Sequence, residues 1–224
     1  FVGVGRRKVF KITNGANCDI IKPIPREEAR KKLGLPLNHK YILYMGLSIH
    51  PRELMVMLKA LRILAEKERS VKLIFIGSMP SIEIEQYVKR SPLNKNVIVA
   101  GKVPYEALPL YLGVSDVLAL PMDAKITEAA RFPIRLGDYL AAGRPIVASD
   151  VGEVGTIVKK CGFTIPSGDV DGWVEGLKTL LCNRELNESL GSKARKVAEE
   201  MSWEKIAKEM QKVYEIVLGG NIIR

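Results

Sequence analysis

The chain has 224 residues, 47% of them hydrophobic, and a mean hydropathy of +0.04, which suits one large globular domain or two small ones. It has no apolar run long enough to span a bilayer, and its three widely spaced cysteines and two histidines argue against a disulfide scaffold or a metal site, so we expect reduced, intracellular thiols. The net charge of +10 favours anionic partners, although most charges lie on predicted helix faces, where solvation is the simpler explanation.

Short apolar runs that fit buried strands alternate with segments of helical periodicity. The first helix is predicted from the apolar residues that recur at helix spacing between Leu54 and Leu64. Strands are predicted at 41–45, 71–76, 96–100, 116–120, 145–148 and 162–165. Further helices are predicted at 81–91, 105–114, 134–142 and 152–159.

This alternation predicts the fold class. Strands separated by helices pair in parallel through right-handed crossovers. Runs such as 72–76 lack polar alternation, as expected when both faces of a sheet are covered. We therefore predict an α/β fold, a doubly wound Rossmann-like parallel sheet of about six strands with C-terminal helices. Its ligand crevice should lie beyond the carboxyl ends of the strands.

Glycines follow the first three predicted strands, at Gly46, Gly77 and Gly101, and Ser48 comes shortly after the first of them. Glycine permits a tight turn and a close approach of the backbone to a ligand. For any single glycine, turn chemistry is the simpler interpretation. Three glycines at equivalent strand ends favour a ligand-binding rim.

The pattern changes after residue 166, where three helices are predicted to complete the chain. Asp169 and Asp171 superficially resemble a carboxylate pair for a divalent metal. Their position suits helix capping and the preference of acids for the first turn better, so we predict a cap. The last two helices are predicted at about 187–200 and 203–217.

Four stretches follow one another in a characteristic order. The first is ITNGANCD at 12–19, and the second is YMG at 44–46 followed by Arg52. The third has two parts, NV through GKVPY at 96–105 and SDV at 115–117 through Pro121. The fourth is FPIRLGDYLAAGRP at 132–145. Together they resemble the donor domain of the GT-B glycosyltransferases, specifically the large retaining family 4. The resemblance covers about residues 10 to 217 and includes the tail MSWEKI at 201–206.

The resemblance implies that 1–224 is the nucleotide-sugar-binding half of a two-domain retaining transferase, inactive by itself, that moves a sugar to a hydroxyl acceptor. Segment 1–15 would lead into the domain. Helix 202–218 would cross back to an N-terminal acceptor domain absent from this chain, which begins without Met, and would expose an apolar stripe formed by Ile206, Met210, Val213 and Ile216.

The implied partners are a nucleotide-diphosphate sugar, the chain's own acceptor domain, and a membrane surface or lipid-linked acceptor. We expect no cofactor, no metal and no nucleic acid. The implied location is cytoplasmic, with peripheral attachment to the inner face of the membrane.

The fourth stretch carries most of the predicted site. A helix that begins after Pro133 offers unpaired N–H groups and a partial positive charge to a diphosphate, and Arg135 adds a forked cationic donor. The alternative for Arg135 is a surface arginine paired with an acid. Asp138 aligns with a family carboxylate that binds the nucleotide ribose, and its alternative is an exposed helical acid. Ile134 and Leu136 complete this segment of the nucleotide-sugar site.

The sequence departs from the family's pattern at two positions, one expected to contact phosphate and one expected to contact the sugar. Arg52 aligns with a family lysine that neutralises the diphosphate, but Leu47 replaces the basic residue that follows the strand glycine. The glutamate that contacts the transferred sugar would fall at Ala130, and Glu128 could substitute for it if the loop differs. We therefore predict Arg52, Arg135 and Glu128 as the catalytic set, with the arginines stabilising the leaving diphosphate.

Lys102 and Val103 stand where the family places the nucleobase, although a rim lysine without a ligand is an equally good interpretation of Lys102. Two other function classes remain. Ala130 and Leu47 favour a non-catalytic nucleotide-sugar-binding or scaffold module that has lost transfer chemistry. The net charge alone suggests nucleic-acid binding, but the sequence lacks a reading motif or interleaved aromatic residues.

Overall fold

The computed structural model of the chain describes residues 9–46, 51–78 and 81–219. A six-stranded parallel sheet forms its centre, in the order β3-β2-β1-β4-β5-β6. The predicted α/β fold class and all six predicted strands are confirmed. The strands are β1 (Lys40–Met45), β2 (Val71–Ile76), β3 (Val97–Gly101), β4 (Val117–Leu120), β5 (Ile146–Ser149) and β6 (Gly162–Ile165).

Ten α-helices flank this sheet in the described part of the chain. The predicted helix over 105–114 is divided, because a 3₁₀ turn at Tyr105–Ala107 precedes α4 and a proline stands in the first turn of α4. The helices are α1 (Arg26–Lys32), α2 (Pro51–Lys67), α3 (Ile82–Arg90), α4 (Leu108–Val114), α5 (Ile126–Ala129), α6 (Ile134–Ala141), α7 (Gly152–Val158), α8 (Val170–Cys182), α9 (Arg184–Glu200) and α10 (Trp203–Val217).

Both faces of the sheet are covered, which is why the strands lack polar alternation. Alternate residues of β1 enter different cores, since side chains point to opposite faces along a strand. Leu43 packs in a core that includes Tyr139 of α6, whereas Ile42 packs in a core that includes Leu58 of α2 and Trp173 of α8. The sheet therefore lies between two helical layers.

The sheet order reverses between β1 and β4, which pair directly with each other. In open parallel sheets of this kind, ligands bind beyond the carboxyl ends of the strands at the point of reversal. Here that point lies between the end of β1, at Met45, and the end of β4, at Leu120. The reversal of strand order thus lies at the carboxyl edge, where the sequence analysis predicted a ligand crevice.

The C-terminal helices confirm one expectation and correct another. The Asp169 carboxylate accepts a hydrogen bond of 2.9 Å from the Gly172 N–H, so it caps α8 as predicted. On α10, Ile206 is buried, so the predicted exposed stripe is wrong at its first residue, where the helix packs against the domain. Met210 and Ile216 are exposed as expected. No helix in the described ranges is long and apolar enough to cross a membrane.

Candidate functional site

Of the three glycines at the carboxyl edge of the sheet, Gly77 has a packing function. The Gly77 N–H donates to the carbonyl of Gly101 at 2.8 Å, and Gly77 has a φ of +128°. A Cβ at Gly77 would lie 2.0 Å from the carbonyl oxygen of Gly46, so no larger residue fits between these strand ends. Glycine here brings two strand ends together, whether or not a ligand binds. The predicted site residue Ser48 lies outside the described residues.

Helix α6 is fixed to the end of β1 by two of its side chains. The Met45 carbonyl accepts a hydrogen bond of 2.9 Å from Arg135 Nη1, and the Met45 N–H donates to the Tyr139 hydroxyl, also at 2.9 Å. The Arg135 guanidinium also lies 5.5 Å from the centre of the Tyr44 ring. These contacts hold the N-terminus of α6 near Gly46.

A buried carboxylate, Glu53 in the first turn of α2, lies next to Arg135 and is only 4% exposed. Its Oε2 accepts a hydrogen bond of 3.2 Å from the Tyr44 hydroxyl and lies 3.9 Å from Arg135 Nη2. Its Oε1 lies 3.8 Å from Arg131 Nη2. Burial raises the pKa of Glu53, and the charge of Arg135 opposes that rise. Arg135 is therefore a largely buried arginine paired with an acid, and its side chain is 13% exposed.

Sequence reasoning missed both Glu53 and Arg131. Glu53 occupies a position of α2 that faces the core, directly before Leu54, where an acid needs partners. That placement was a signal available in the sequence. Arg131 lies in the loop between α5 and α6, where no periodicity indicates a partner.

Asp138 is buried within α6, at 7% exposure, so its interpretation as an exposed helical acid is wrong. The Tyr105 hydroxyl donates to Asp138 Oδ1 at 2.9 Å. Burial raises the pKa of Asp138 to about 6, and the hydrogen bond from Tyr105 limits the rise. Burial and the neighbouring Asp138 raise the pKa of Tyr105 to about 12. This carboxylate therefore changes charge closer to neutrality than an ordinary aspartate.

The Asn14-Gly15 segment contacts two of the other sequence stretches, at Phe132 and at Trp203. Asn14 Nδ2 donates to the Phe132 carbonyl at 3.0 Å, which fixes the residue before Pro133. A Cβ at Gly15 would lie 2.6 Å from the Trp203 ring, and one at Gly137 would lie 2.7 Å from the Gly15 carbonyl oxygen. This segment is therefore packed tightly between α6 and the start of α10.

The remaining predicted residues differ in accessibility. Arg52 is exposed and lies 3.9 Å from Asp123, and Lys102 is exposed at the end of β3. Glu128 Oε2 accepts a hydrogen bond of 2.6 Å from Arg131 Nε. Val103 and Pro133 are half-buried, Ile134 is exposed, and Leu136 is fully buried, where its side chain holds α6 in the core.

The charged residues described above thus include both cations and acids, and several of them form ion pairs. Exposed cationic groups of the carboxyl edge suit an anion, and the start of α6, where no described side chain caps the backbone N–H groups, adds further donors. Among the predicted residues, Arg135 is brought directly to the end of β1. Asp138 contacts Tyr105 instead, one turn further along α6.

A family model described as glycosyl transferases group 1 matches residues 25–197. The chain belongs to this family. Over 210 residues it is 26% identical to a phosphatidyl-myo-inositol mannosyltransferase of Mycobacterium leprae, and the match covers 92% of this chain and 53% of that protein. It is 25% identical over 221 residues to a D-inositol 3-phosphate glycosyltransferase of Corynebacterium diphtheriae, covering 92% and 50%.

Solved structures share the fold. A sucrose-phosphate synthase from Thermosynechococcus elongatus matches with a TM-score of 0.80 and 23% identity, covering 94% of this chain and 53% of that one. The Anabaena protein HepE in complex with UDP-glucose matches with a TM-score of 0.78 and 20% identity, covering 94% and 58%. The chain thus spans about half the length of the relatives that it matches, and it corresponds to the C-terminal half of the GT-B fold.

Proposed function

We propose that this chain binds a nucleoside-diphosphate sugar and forms the donor-binding half of a retaining glycosyltransferase. The observation that carries the proposal is the attachment of α6 to the end of β1, through Arg135 and Tyr139 on Met45. This attachment sets a helix N-terminus at the carboxyl edge of the sheet, at the reversal of strand order. Such a position suits a diphosphate. Group 1 membership and neighbours solved with UDP or UDP-glucose support the same ligand class.

The proposed binding mode divides the ligand among three regions. The diphosphate lies at the N-terminus of α6, with Arg52 as a cationic donor. The ribose hydroxyls reach Asp138, and the base lies against the backbone at Lys102 and Val103. Asp138 Oδ1 already accepts a bond from Tyr105, so the ribose diol would rely mainly on Oδ2.

In the proposed reaction the donor's glycosidic bond to phosphate breaks, and the diphosphate gains negative charge as it leaves. Cationic groups and N–H donors that are already in place stabilise this developing charge more than the charge of the bound donor. Arg52 and the α6 N–H groups would act in this way. The acceptor is a hydroxyl compound, and the names of the two relatives given above point to inositol phosphates or inositol lipids as the class to test first.

Calorimetry with UDP, GDP and ADP, each compared with its nucleoside, tests the proposal. We expect one diphosphate to bind at least tenfold more tightly than its nucleoside, because the diphosphate adds charge-assisted hydrogen bonds. A chain that binds none of the three at millimolar concentration would contradict the proposal. UDP-glucose, GDP-mannose and ADP-glucose, tested in the same way, would identify the sugar.

A second candidate is a nucleotide-sugar-binding module without transfer chemistry. Ala130 stands at the position of the family's sugar-contacting glutamate, and Glu128 is held by Arg131 rather than standing apart from other side chains. Turnover of a nucleotide sugar by the full-length protein discriminates between the two candidates. Product formation favours the transferase, whereas binding without turnover for any inositol-type acceptor favours the module.

A further inference from the structure

Two arginines of the carboxyl edge, Arg135 and Arg131, differ in how far they are exposed. Arg135 is 13% exposed and is bound to Met45 and Glu53, while the Arg131 side chain is 44% exposed. Both guanidinium groups flank one buried carboxylate, because Arg131 Nη2 lies 3.8 Å from Glu53 Oε1 and Arg135 Nη2 lies 3.9 Å from Glu53 Oε2. Arg131 therefore combines an anchored position with an exposed surface.

The loop that carries Arg131 is fixed on both sides. On one side, Ala129 packs closely against Gly152, since a Cβ added at Gly152 would lie 2.3 Å from the Ala129 carbonyl oxygen. On the other side, Asn14 binds the Phe132 carbonyl at 3.0 Å. A loop whose backbone is fixed on both sides loses little backbone freedom when a ligand binds.

Glu128 orients the guanidinium from a third direction. Its Oε2 accepts a hydrogen bond of 2.6 Å from Arg131 Nε, and the same oxygen also contacts Arg131 Nη2. Arg131 has a further group, Nη1, which takes part in neither of these contacts. Because a guanidinium carries five N–H donors in a planar fork, two carboxylates can hold it while donors remain for a third anion.

We infer that Arg131 is a diphosphate-binding residue and that Glu53 and Glu128 are the positioning residues that hold it. The inference rests on the proposed function. It supplies a second exposed arginine at the carboxyl edge besides Arg52, in a sequence that has Leu47 rather than a basic residue after Gly46. It also assigns Glu128 to the orientation of Arg131 rather than to contact with the sugar.

Calorimetry on the Arg131→Ala variant tests this inference, with the tightest-binding diphosphate of UDP, GDP and ADP and with its nucleoside. We expect the dissociation constant of the diphosphate to rise about tenfold or more and that of the nucleoside to stay within about twofold, since the lost bond is made to phosphate. Glu128→Gln should weaken the diphosphate less, because it loosens the arginine without removing it.

Arg184→Ala provides the matched control. Arg184 is likewise an exposed arginine bound to a nearby glutamate, Glu188, but it lies at the opposite edge of the sheet. We expect this variant to bind both ligands as the unchanged chain does. Equal losses for diphosphate and nucleoside in Arg131→Ala, or no loss in either, would overturn the inference while the proposed function stands. Failure of the unchanged chain to bind any diphosphate would overturn both.

Discussion

Two pairs of arginines, one at each edge of the sheet, are held in opposite ways. At the amino edge, Arg30 Nη2 lies 2.8 Å from Asp116 Oδ2 and its Nε donates to the Val114 carbonyl at 3.1 Å. Nearby, Arg144 Nη2 donates to the Gly113 carbonyl at 2.8 Å. Both arginines are buried at the C-terminus of α4, where the helix dipole favours positive charge. Burial lowers the pKa of Arg144 to about 10.

At the carboxyl edge, by contrast, Arg52 and Arg131 are exposed, and their partners are acids at the surface or beneath it. The difference follows from geometry. The amino edge places arginines against the carbonyls of a helix C-terminus, which need donors, whereas the carboxyl edge at the reversal of strand order is where ligands bind in open parallel sheets. We therefore expect loss of the buried ion pairs at the amino edge to reduce stability and loss of the exposed arginines at the carboxyl edge to reduce ligand affinity.

The largest effect is expected from Asp116→Ala. This change removes the carboxylate that faces Arg30 and also the acceptor of the Tyr41 N–H, which donates to Asp116 at 2.7 Å. Breaking a largely buried ion pair leaves a charge without its partner, so the free energy of unfolding should fall by about 3–5 kcal/mol. Urea denaturation measures it. A loss below about 1 kcal/mol, or a selective loss of nucleotide affinity in the folded protein, would contradict the contrast between the edges.

A smaller effect on the free energy of unfolding is expected from pH, because Asp138 titrates at a different pH in the folded and unfolded chains. Its pKa is about 6 in the folded chain and 3.8 ordinarily, so between those values the folded state holds a proton that the unfolded state releases. Its contribution to stability is therefore fully present below pH 3.8 and is lost as the pH rises through 6, by at most about 3 kcal/mol.

Asp138→Asn should remove this part of the pH dependence, which denaturation at pH 4 and pH 7 would show. The same slope in both proteins would place the titration elsewhere. Nucleotide affinity should change in the opposite direction and strengthen as the pH rises through 6, because the ionised carboxylate accepts ribose hydroxyl groups more strongly.

Most of the fold could be predicted from the sequence. The strands were identifiable because they form short, mostly apolar runs without polar alternation, such as 73–76. Helix α5 was missed because four residues within a loop are too few to show a period. The exposure of α10 was misjudged at Ile206, because periodicity locates an apolar stripe but not the neighbour that covers it.

Less of the candidate site than of the fold could be predicted from the sequence. Motif order located α6 and its N-terminus, but the partners of Arg135 and Asp138 depend on side chains distant in sequence. Tyr105 contacts Asp138 across 33 positions, and Arg135 reaches Met45 across 90. No local pattern indicates such contacts. The sequence likewise shows that residue 77 is a glycine, but not that the Gly46 carbonyl oxygen leaves no room for a side chain there.

Gly77→Ala sharpens the comparison from within the carboxyl edge. The new methyl group would meet the Gly46 carbonyl oxygen, and the φ of +128° is strained for any side chain, so stability should fall by about 1–3 kcal/mol. Displacement of Gly46 should also weaken nucleotide binding. Gly34→Ala is the control, since Gly34 has a positive φ but its new methyl group would meet nothing within 4 Å. Equal effects of the two substitutions would show that strain alone, rather than the strand contact, requires glycine at 77.

The smallest effect, and the sharpest test of the site, comes from Asp138→Asn combined with a change in the ligand. The substitution keeps the shape and removes the charge. Affinity for the ribonucleotide should fall by on the order of 1 kcal/mol or more, the scale of a hydrogen bond to a charged group. The 2′-deoxynucleotide already lacks one hydroxyl, so it should lose less from the same substitution.

These four affinities form a double-mutant cycle with one change in the protein and one in the ligand, and its coupling energy isolates the contact with the 2′-hydroxyl. Asp138 is buried beside Tyr105, so the substitution also alters a hydrogen bond that both ligands experience equally. That shared effect cancels in the cycle. Additive losses would therefore remove Asp138 from the ribose site and leave it as a buried partner of Tyr105, while the diphosphate site at the start of α6 would be unaffected.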